Sequence, residues 1–268
     1  MNIAGIEKTI IKTYRTRLYR PFVNALAAYQ MIAPGDRIAV CLSGGKDSFV
    51  MAKLFQETAR HGKIDFSLQF ITLDPGYGKE YRERLEANAR HLGIPLLIRE
   101  KNLFKAAAKL GGEKPCYICA RMRRGALYEF ARDFRCNKIA LGHHFNDAVE
   151  TILLNLFYGG SFEVMMPKLK ATNFPGMELI RPMIYIKEKD IINFMRYAGI
   201  ETATCGCELA GERVSMRAEM KQLIARLKKT NKDVDVNIFH SAENVNLERV
   251  LKWRQRGKTF SFLDFYDN

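Results

Sequence analysis

Six adjacent residues, Ser43-Gly44-Gly45-Lys46-Asp47-Ser48, combine hydroxyls, an ammonium, a carboxylate and two glycines. Glycines let a backbone turn sharply and come close to a ligand, and the flanking donors and positive charge suit a phosphate. The G-x-x-x-x-G-K-[ST] spacing of a Walker A loop is absent, so the phosphate would be cradled differently. A second carboxylate, Asp147, closes the run His143-His144-Phe145-Asn146-Asp147. It is suited to acid-base work or to Mg-ATP, and equally to capping the helix it begins. Cys116 and Cys119 form a CxxC, followed closely by Arg121, Arg123 and Arg124. Thiols at that spacing can grip one metal or cluster, and arginines favour the thiolate while attracting phosphate. Two ligands are too few, and Cys205 and Cys207 are the other close pair that could complete the set. Spacing alone favours zinc. Cys41 and Cys136 lie in apolar strands and are read as core.

The elements that must hold these groups alternate. The apolar run Ile38-Ala39-Val40-Cys41-Leu42 stops at the Ser-Gly-Gly turn, and Phe49, Val50, Met51, Leu54 and Phe55 continue at helical spacing. That is a strand, a tight turn and a helix N-terminus, which presents unpaired N–H groups and the positive end of a dipole. Residues 66–73 read as a buried strand ending at Asp74, 79–91 as a helix, 95–98 as a strand, and 138–142 as a strand followed by a helix. The fold class is therefore α/β, a doubly wound parallel sheet of Rossmann type with helical extensions at both ends. Ligands of such sheets bind outside the carboxyl ends of the strands, which puts Ser43, Gly44, Gly45, Lys46, Asp47, Ser48, Leu73, Asp74, Gly142 and His143 on one nucleotide-binding rim. Asp74 there either holds a ribose hydroxyl or caps its turn. Paired histidines equally serve packing and turn hydrogen bonding.

Outside this frame, residues 6–31 read as one amphipathic helix with a basic face, suited to RNA or to solvent. The stretch 161–176, basic through Lys168 and Lys170, reads as a mobile surface loop able to contact substrate. Helical patterns follow at 187–198, 214–227 and about 242–253. The expected division is a basic N-terminal helix at 1–34, a catalytic domain at 35–200 and a helical C-terminal extension at 201–268.

Lysine and arginine together number 43 against 29 acidic residues among 268, a formal charge of +14. A polyanionic partner, RNA or DNA, is the inference. No apolar run has the length of a membrane span and no secretory signal is read, so a soluble cytoplasmic protein is expected; the basic N-terminal stretch also has the look of an organelle transit peptide. Six cysteines in a chain of this size do not make a disulfide scaffold.

The loop at 43–48 matches the S-G-G-x-D-S loop of the PP-loop ATP pyrophosphatases. Joined to Cys116 and Cys119, Arg121-Met-Arg-Arg-Gly125 and Ala140-Leu-Gly-His-His-Phe-Asn-Asp147, it makes the chain resemble the tRNA 2-thiocytidine synthetases, the TtcA family, from about Ala28 to Asp267. The resemblance implies Mg2+ and ATP, adenylation of the C2 carbonyl oxygen of a cytidine in the tRNA anticodon loop, replacement of that oxygen by sulfur, and release of AMP and pyrophosphate. It implies a [4Fe-4S] cluster on three cysteines, its fourth iron left to hold the sulfur. Cys116 and Cys119 are then paired ligands, with Cys205 as the third and Cys207 in reserve. The family pattern there is C-x-x-C after a proline, whereas this chain has Thr204-Cys205-Gly206-Cys207. Asp147 matches the family's catalytic aspartate, Asp47 is the loop carboxylate, and Arg123 falls where a related thiolation enzyme has a basic catalytic residue. Arg121, Arg123, Arg124, Lys168 and Lys170 are the expected contacts to tRNA. A sulfur donor such as a cysteine desulfurase is implied, and a homodimer is compatible. The rivals are a 2-thiouridine synthetase, whose terminal zinc-binding cysteine pairs are missing here, a lysidine synthetase, which has no use for the cysteines, and a zinc-stabilised tRNA-binding protein without thiolation activity.

Overall fold

Strand β1 (Asp36–Cys41) is apolar from Ile38 onward and buried at every position but Arg37, as a strand covered on both faces must be. In the computed structural model, which describes residues 2–103, 115–201 and 216–266, it lies inside a six-stranded sheet. The other strands are β2 (Phe66–Asp74), β3 (Leu96–Glu100), β4 (Lys138–Ala140), β5 (Lys168–Lys170) and β6 (Glu178–Ile180), in the order β3-β2-β1-β4-β6-β5. All neighbours pair in parallel except β5 with β6. Val40 stands opposite Phe70 on one side and Ala140 on the other. The strand order runs outward from β1 through β2 to β3, then resumes with β4 on β1's other flank. The topological switch point, where α/β sheets bind ligands, thus lies between β1 and β4.

Helices α3 (Lys46–His61), α4 (Lys79–His91), α5 (Pro115–Asp133), α6 (Phe145–Phe157) and α7 (Glu188–Ala198) connect or follow these strands. On α3 the buried Phe49, Val50, Leu54 and Phe55 are the residues whose spacing indicates a helix, and Phe55 meets Phe22 edge-on at 5.0 Å. Cys41 and Cys136 are buried in the core, and burial pushes the Cys136 thiol up to about 11.

The N-terminal stretch is not one continuous helix. Helix α1 (Ile3–Ile11) is followed by a π turn at Arg15–Tyr19 and by α2 (Arg20–Ala28). Pro21 accounts for the junction of the π turn with α2, because proline cannot donate to the carbonyl four residues back and clashes with it, while the first turn of a new helix tolerates it. Ile6, Ile10, Leu18 and Phe22 are fully buried. The fully buried Lys53 of α3 ties this segment down by donating to Glu7 Oε1 at 2.9 Å and to the Leu92 carbonyl at 3.0 Å.

At the far end of the sheet Lys138 lies between strands. Its Nζ is 3.1 Å from Asp36 Oδ2, 3.0 Å from Glu178 Oε2 and 2.9 Å from the Met31 carbonyl. Burial pushes the Asp36 and Glu178 carboxyls up, but hydrogen bonds and the Lys138 charge outweigh it and hold both below the ordinary range.

Two expectations of local structure are corrected. The basic stretch 161–176 contains edge strand β5, and Lys168 is committed, donating to the Gln30 carbonyl at 2.8 Å and standing 3.3 Å from Glu178. Residues 242–253 form no continuous helix: one 3-10 turn at Leu247–Arg249, capped by Asn246, precedes strand β7 (Lys252–Gln255), which pairs with β8 (Lys258–Ser261). The Arg256-Gly257 turn, both φ values positive at 50° and 79°, has the twist of a two-residue hairpin, and Trp253 stacks across it on Phe260.

Among the described residues, 2–148 with 165–201 make one compact unit and 149–164 with 216–266 a second. The second holds α8 (Met216–Leu227), α9 (Val234–Ser241) and the hairpin. Its interior contacts include Arg217 to Glu150 at 3.4 Å and the Tyr158 hydroxyl to Glu219 at 2.5 Å. No helix among the described residues is long and apolar enough to cross a membrane.

Candidate active site at the switch point

The loop after β1 is shaped by its own serines. Ser48 Oγ donates to the Gly45 carbonyl at 2.8 Å and accepts from the Ser43 N–H at 3.2 Å, closing the turn on itself. Gly44 has φ +79°, and a Cβ there would collide with the Tyr81 hydroxyl, which donates to the Ser43 carbonyl. Gly45 is the N-cap of α3 and supplies no side chain to that helix end, which leaves the first-turn N–H groups to a ligand.

Across the switch point, β4 leads into Gly142, where a Cβ would lie 3.2 Å from the Asp47 carbonyl carbon and the Ser48 nitrogen. Glycine is therefore what lets the end of β4 touch the start of α3. Two residues on, His144 and Asp147 cap α6 reciprocally: Asp147 Oδ2 accepts from the His144 N–H at 2.9 Å, and His144 Nδ1 accepts from the Asp147 N–H at 3.4 Å. This is a capping box with histidine in the serine position. An Nδ1 that accepts leaves the proton on Nε2, which stands 3.7 Å from Asp47 Oδ1. Asp47 Oδ2 in turn is 3.2 Å from Lys46 Nζ, and Lys46 is 3.1 Å from Glu188 at the start of α7. A polar chain thus crosses the crevice from Asp147 through His144, Asp47 and Lys46 to Glu188.

Burial pushes the Asp47 carboxyl up against the pull of His144 and Lys46. For Lys46 burial acts downward, but Asp47 and Glu188 outweigh it and raise its pKa, so the ammonium stays charged. Asp47 Oδ1 is buried without a hydrogen-bond partner. A desolvated carboxylate oxygen is a hard donor that suits a hard cation, so Asp47, with Asp147 near it, fits a Mg2+ ion accompanying a nucleotide.

These groups surround a cavity of ≈ 430 Å³. Ser43, Asp47, Ser48, Leu73, Arg123, Gly142, His143 and Asp147, all expected at the site, line it. Arg124 joins them, with an apolar wall from Leu127, Tyr128 and Leu141. Arg123 also lies 5.8 Å from the Tyr77 ring. Asp74 is at the rim but serves its own turn, accepting from the Gly76 and Tyr77 N–H groups at 2.9 and 2.8 Å. Arg121 is exposed on α5, and Lys168 is tied to Glu178. Cys116 and Cys119 fall on α5, three residues apart and upstream of Arg123, with their side chains outside the described residues; Cys205 and Cys207 lie outside them altogether. As a donor set thiolates fit an iron–sulfur cluster.

Sequence reasoning put both histidines at a strand end on the rim without choosing between site and packing, and did not single out Glu188 or Tyr81. For His144, nothing local separates it from a packing residue.

Fold and loop together define a PP-loop protein, and the family model described as a PP-loop domain matches residues 12–204. Within that class the chain belongs to the tRNA-cytidine(32) 2-sulfurtransferase family. It is 35% identical over 243 residues to the protein of that name from Pelobacter propionicus, covering 90% of each chain. It is 34% identical over 246 residues to that from Alcanivorax borkumensis, covering 89% of this chain and 84% of the relative. The fold is shared with the U34-tRNA thiolase NcsA from Methanococcus maripaludis, solved with its [4Fe-4S] cluster, at a TM-score of 0.67 and 21% identity over 86% of this chain and 78% of that one.

Proposed function

We propose that this chain is an ATP-dependent tRNA sulfurtransferase that thiolates C2 of a cytidine in the anticodon loop. The observation that carries it is one cavity lined by Ser43, Asp47 and Ser48 of the loop and by Asp147 across the switch point, with His144 standing between the two carboxylates, in a chain that aligns along nine-tenths of its length with relatives named for this reaction.

The first step needs a nucleotide held by its phosphates. The N-terminus of α3, the Gly44-Gly45 backbone and Lys46 bind them, and the Lys46 charge is aimed by Asp47 and Glu188. Asp47 and Asp147 would hold Mg2+, which would supply positive charge beside the phosphates. The base's carbonyl oxygen attacks the α-phosphorus and pyrophosphate leaves. The base's oxygen, a poor leaving group alone, then departs as part of AMP when sulfur adds at C2. Arg123, on the cavity wall, stabilises charge that grows on the adenylate phosphate. The cluster expected on Cys116, Cys119 and Cys205 supplies, when bound, a soft site that carries the sulfur. Arg121, Arg124 and Lys170 contact the RNA, and a desulfurase-type donor supplies the sulfur. Residues 35–200 form the catalytic domain in this reading.

The test incubates the anaerobically purified, full-length protein with tRNA, Mg-ATP and a sulfide source, and analyses digested nucleosides by mass spectrometry. 2-Thiocytidine with AMP released in step is the expected result, and Asp47→Ala should abolish AMP release while tRNA binding persists. Thiouridine in place of thiocytidine, or turnover unaltered by Asp47→Ala, would overturn the reading.

A further inference from the structure

A second cavity, of ≈ 820 Å³, adjoins the first and shares Arg124, Tyr128 and Leu179 with it. It is built between α5 and the β5–β6 hairpin. Among the described residues four cations line it, Arg121, Arg124, Lys170 and Arg181, and no carboxylate does. Three of them follow from a surface helix and an edge strand. Arg181 does not.

Arg181 directly follows β6 at the sheet's carboxyl rim and is only 9% exposed. Its Nη1 donates to the Met166 carbonyl, while its Nε is buried with no hydrogen-bond partner. No carboxylate stands within salt-bridge distance of it among the described residues. Taking a guanidinium out of water costs several kcal/mol unless an anion or a full set of acceptors compensates, so an unpaired buried arginine marks a place built for negative charge. Burial, and then the neighbouring Arg124 charge, bring its pKa down to about 10, which leaves it charged at neutral pH.

The nucleotide's phosphates are already provided for by the loop and by Lys46. The second cavity is a different place with a different shape: Arg121 and Lys170 are exposed at its mouth, Thr172 and Asn173 add neutral hydrogen-bonding groups, and Tyr128 lies stacked on Phe174 with ring centroids 4.8 Å apart. A row of cations leading from the surface to a buried one suits a chain of phosphates that enters from outside. Its volume is within the range of pockets that enclose a nucleotide-sized group. A splayed single strand presents such a group.

We propose that this cavity receives the RNA phosphates beside the nucleotide being thiolated, with Arg181 as the buried anchor of the innermost and Arg121, Arg124 and Lys170 as contacts to those leading out to the surface. The shared Arg124–Tyr128 wall then sets the target base toward the ATP cavity. This rests on the tRNA reading above and adds to it a site and an anchoring residue.

The experiment measures binding of a fluorescent anticodon stem-loop RNA by anisotropy across a salt series, and separately binding of the ATP analogue adenylyl imidodiphosphate. Full-length wild type is compared with Arg181→Gln, Arg181→Lys and the exposed double variant Arg121→Gln/Lys170→Gln. Each single-strand phosphate left without its cation should flatten the log–log salt slope by about 0.7, so about 0.7 for Arg181→Gln and about 1.4 for the double variant. Arg181→Lys should retain most of the slope, and analogue binding should stay unchanged throughout. An unaltered slope in the double variant overturns the proposal, and this variant decides the matter if Arg181→Gln fails to fold. Analogue binding lost in Arg181→Gln with RNA binding intact also overturns it, assigning the cation to ATP. Wild type that binds no tRNA stem-loop overturns the tRNA reading itself.

Discussion

Replacing His144 separates two tasks that the structure gives to one side chain. His144 caps α6 through Nδ1 and faces Asp47 Oδ1 through Nε2 at 3.7 Å. His144→Ala removes both. Without the N-cap, stability falls by about 0.5–2 kcal/mol. Without the imidazole, the Asp47 carboxylate is oriented by Lys46 alone. At 3.7 Å the Nε2–Oδ1 contact is longer than a hydrogen bond, so what is lost is positioning, about a tenfold fall in tRNA-dependent AMP release. His144→Asn distinguishes the tasks. Asparagine is among the best N-caps, so denaturant unfolding should recover to within a few tenths of a kcal/mol of wild type. Its shorter side chain cannot reach Asp47, so AMP release should stay low. Full activity in a well-folded His144→Asn protein would refute the idea that His144 positions Asp47.

Gly142→Ala places a methyl 3.2 Å from the Asp47 and Ser48 backbone, where the helix start must give way. AMP release should fall by about tenfold or more while tRNA binding holds, since small displacements of a positioned group are costly; wild-type kinetics would show that the loop yields freely. Lys138→Met leaves the buried Asp36 without its cation and the part-buried Glu178 with Lys168 alone, and should cost about 3 kcal/mol at neutral pH by chemical denaturation. Both carboxyls titrate below their ordinary 3.8 and 4.5, so their stabilisation is fully present above those values and is lost as pH falls through the lowered ones. The deficit of Lys138→Met should therefore shrink on the acid side, and a pH-independent deficit would contradict the assignment. Anaerobically purified protein should contain iron and sulfide and absorb visible light; a colourless zinc protein would sink the cluster reading.

Local order was legible where chemistry and periodicity agree. The Ser43–Ser48 loop falls where an apolar strand gives way to a helical pattern, and the structure begins α3 at Lys46. Residues 161–176 and 242–253 misled, because edge strands and hairpins are stabilised by partners distant in sequence. β5 exists because β6 offers hydrogen bonds, and β7 because Trp253 meets Phe260. At Asp74, one carboxylate oxygen takes the capping role, accepting from the two N–H groups its turn presents.

The residue types by themselves determined that a phosphate-binding turn ends a buried strand, that Asp147 heads a helix, and that the chain is strongly basic. These follow from periodicity and side-chain chemistry over a few consecutive residues. Only the tertiary structure decided that β4 pairs with β1 and that Gly142 therefore touches Asp47. The same strand order brings His144, Glu188 and Arg181 to the rim. Strand order is set by which buried faces fit against one another across the whole sheet, and no short stretch of sequence contains that.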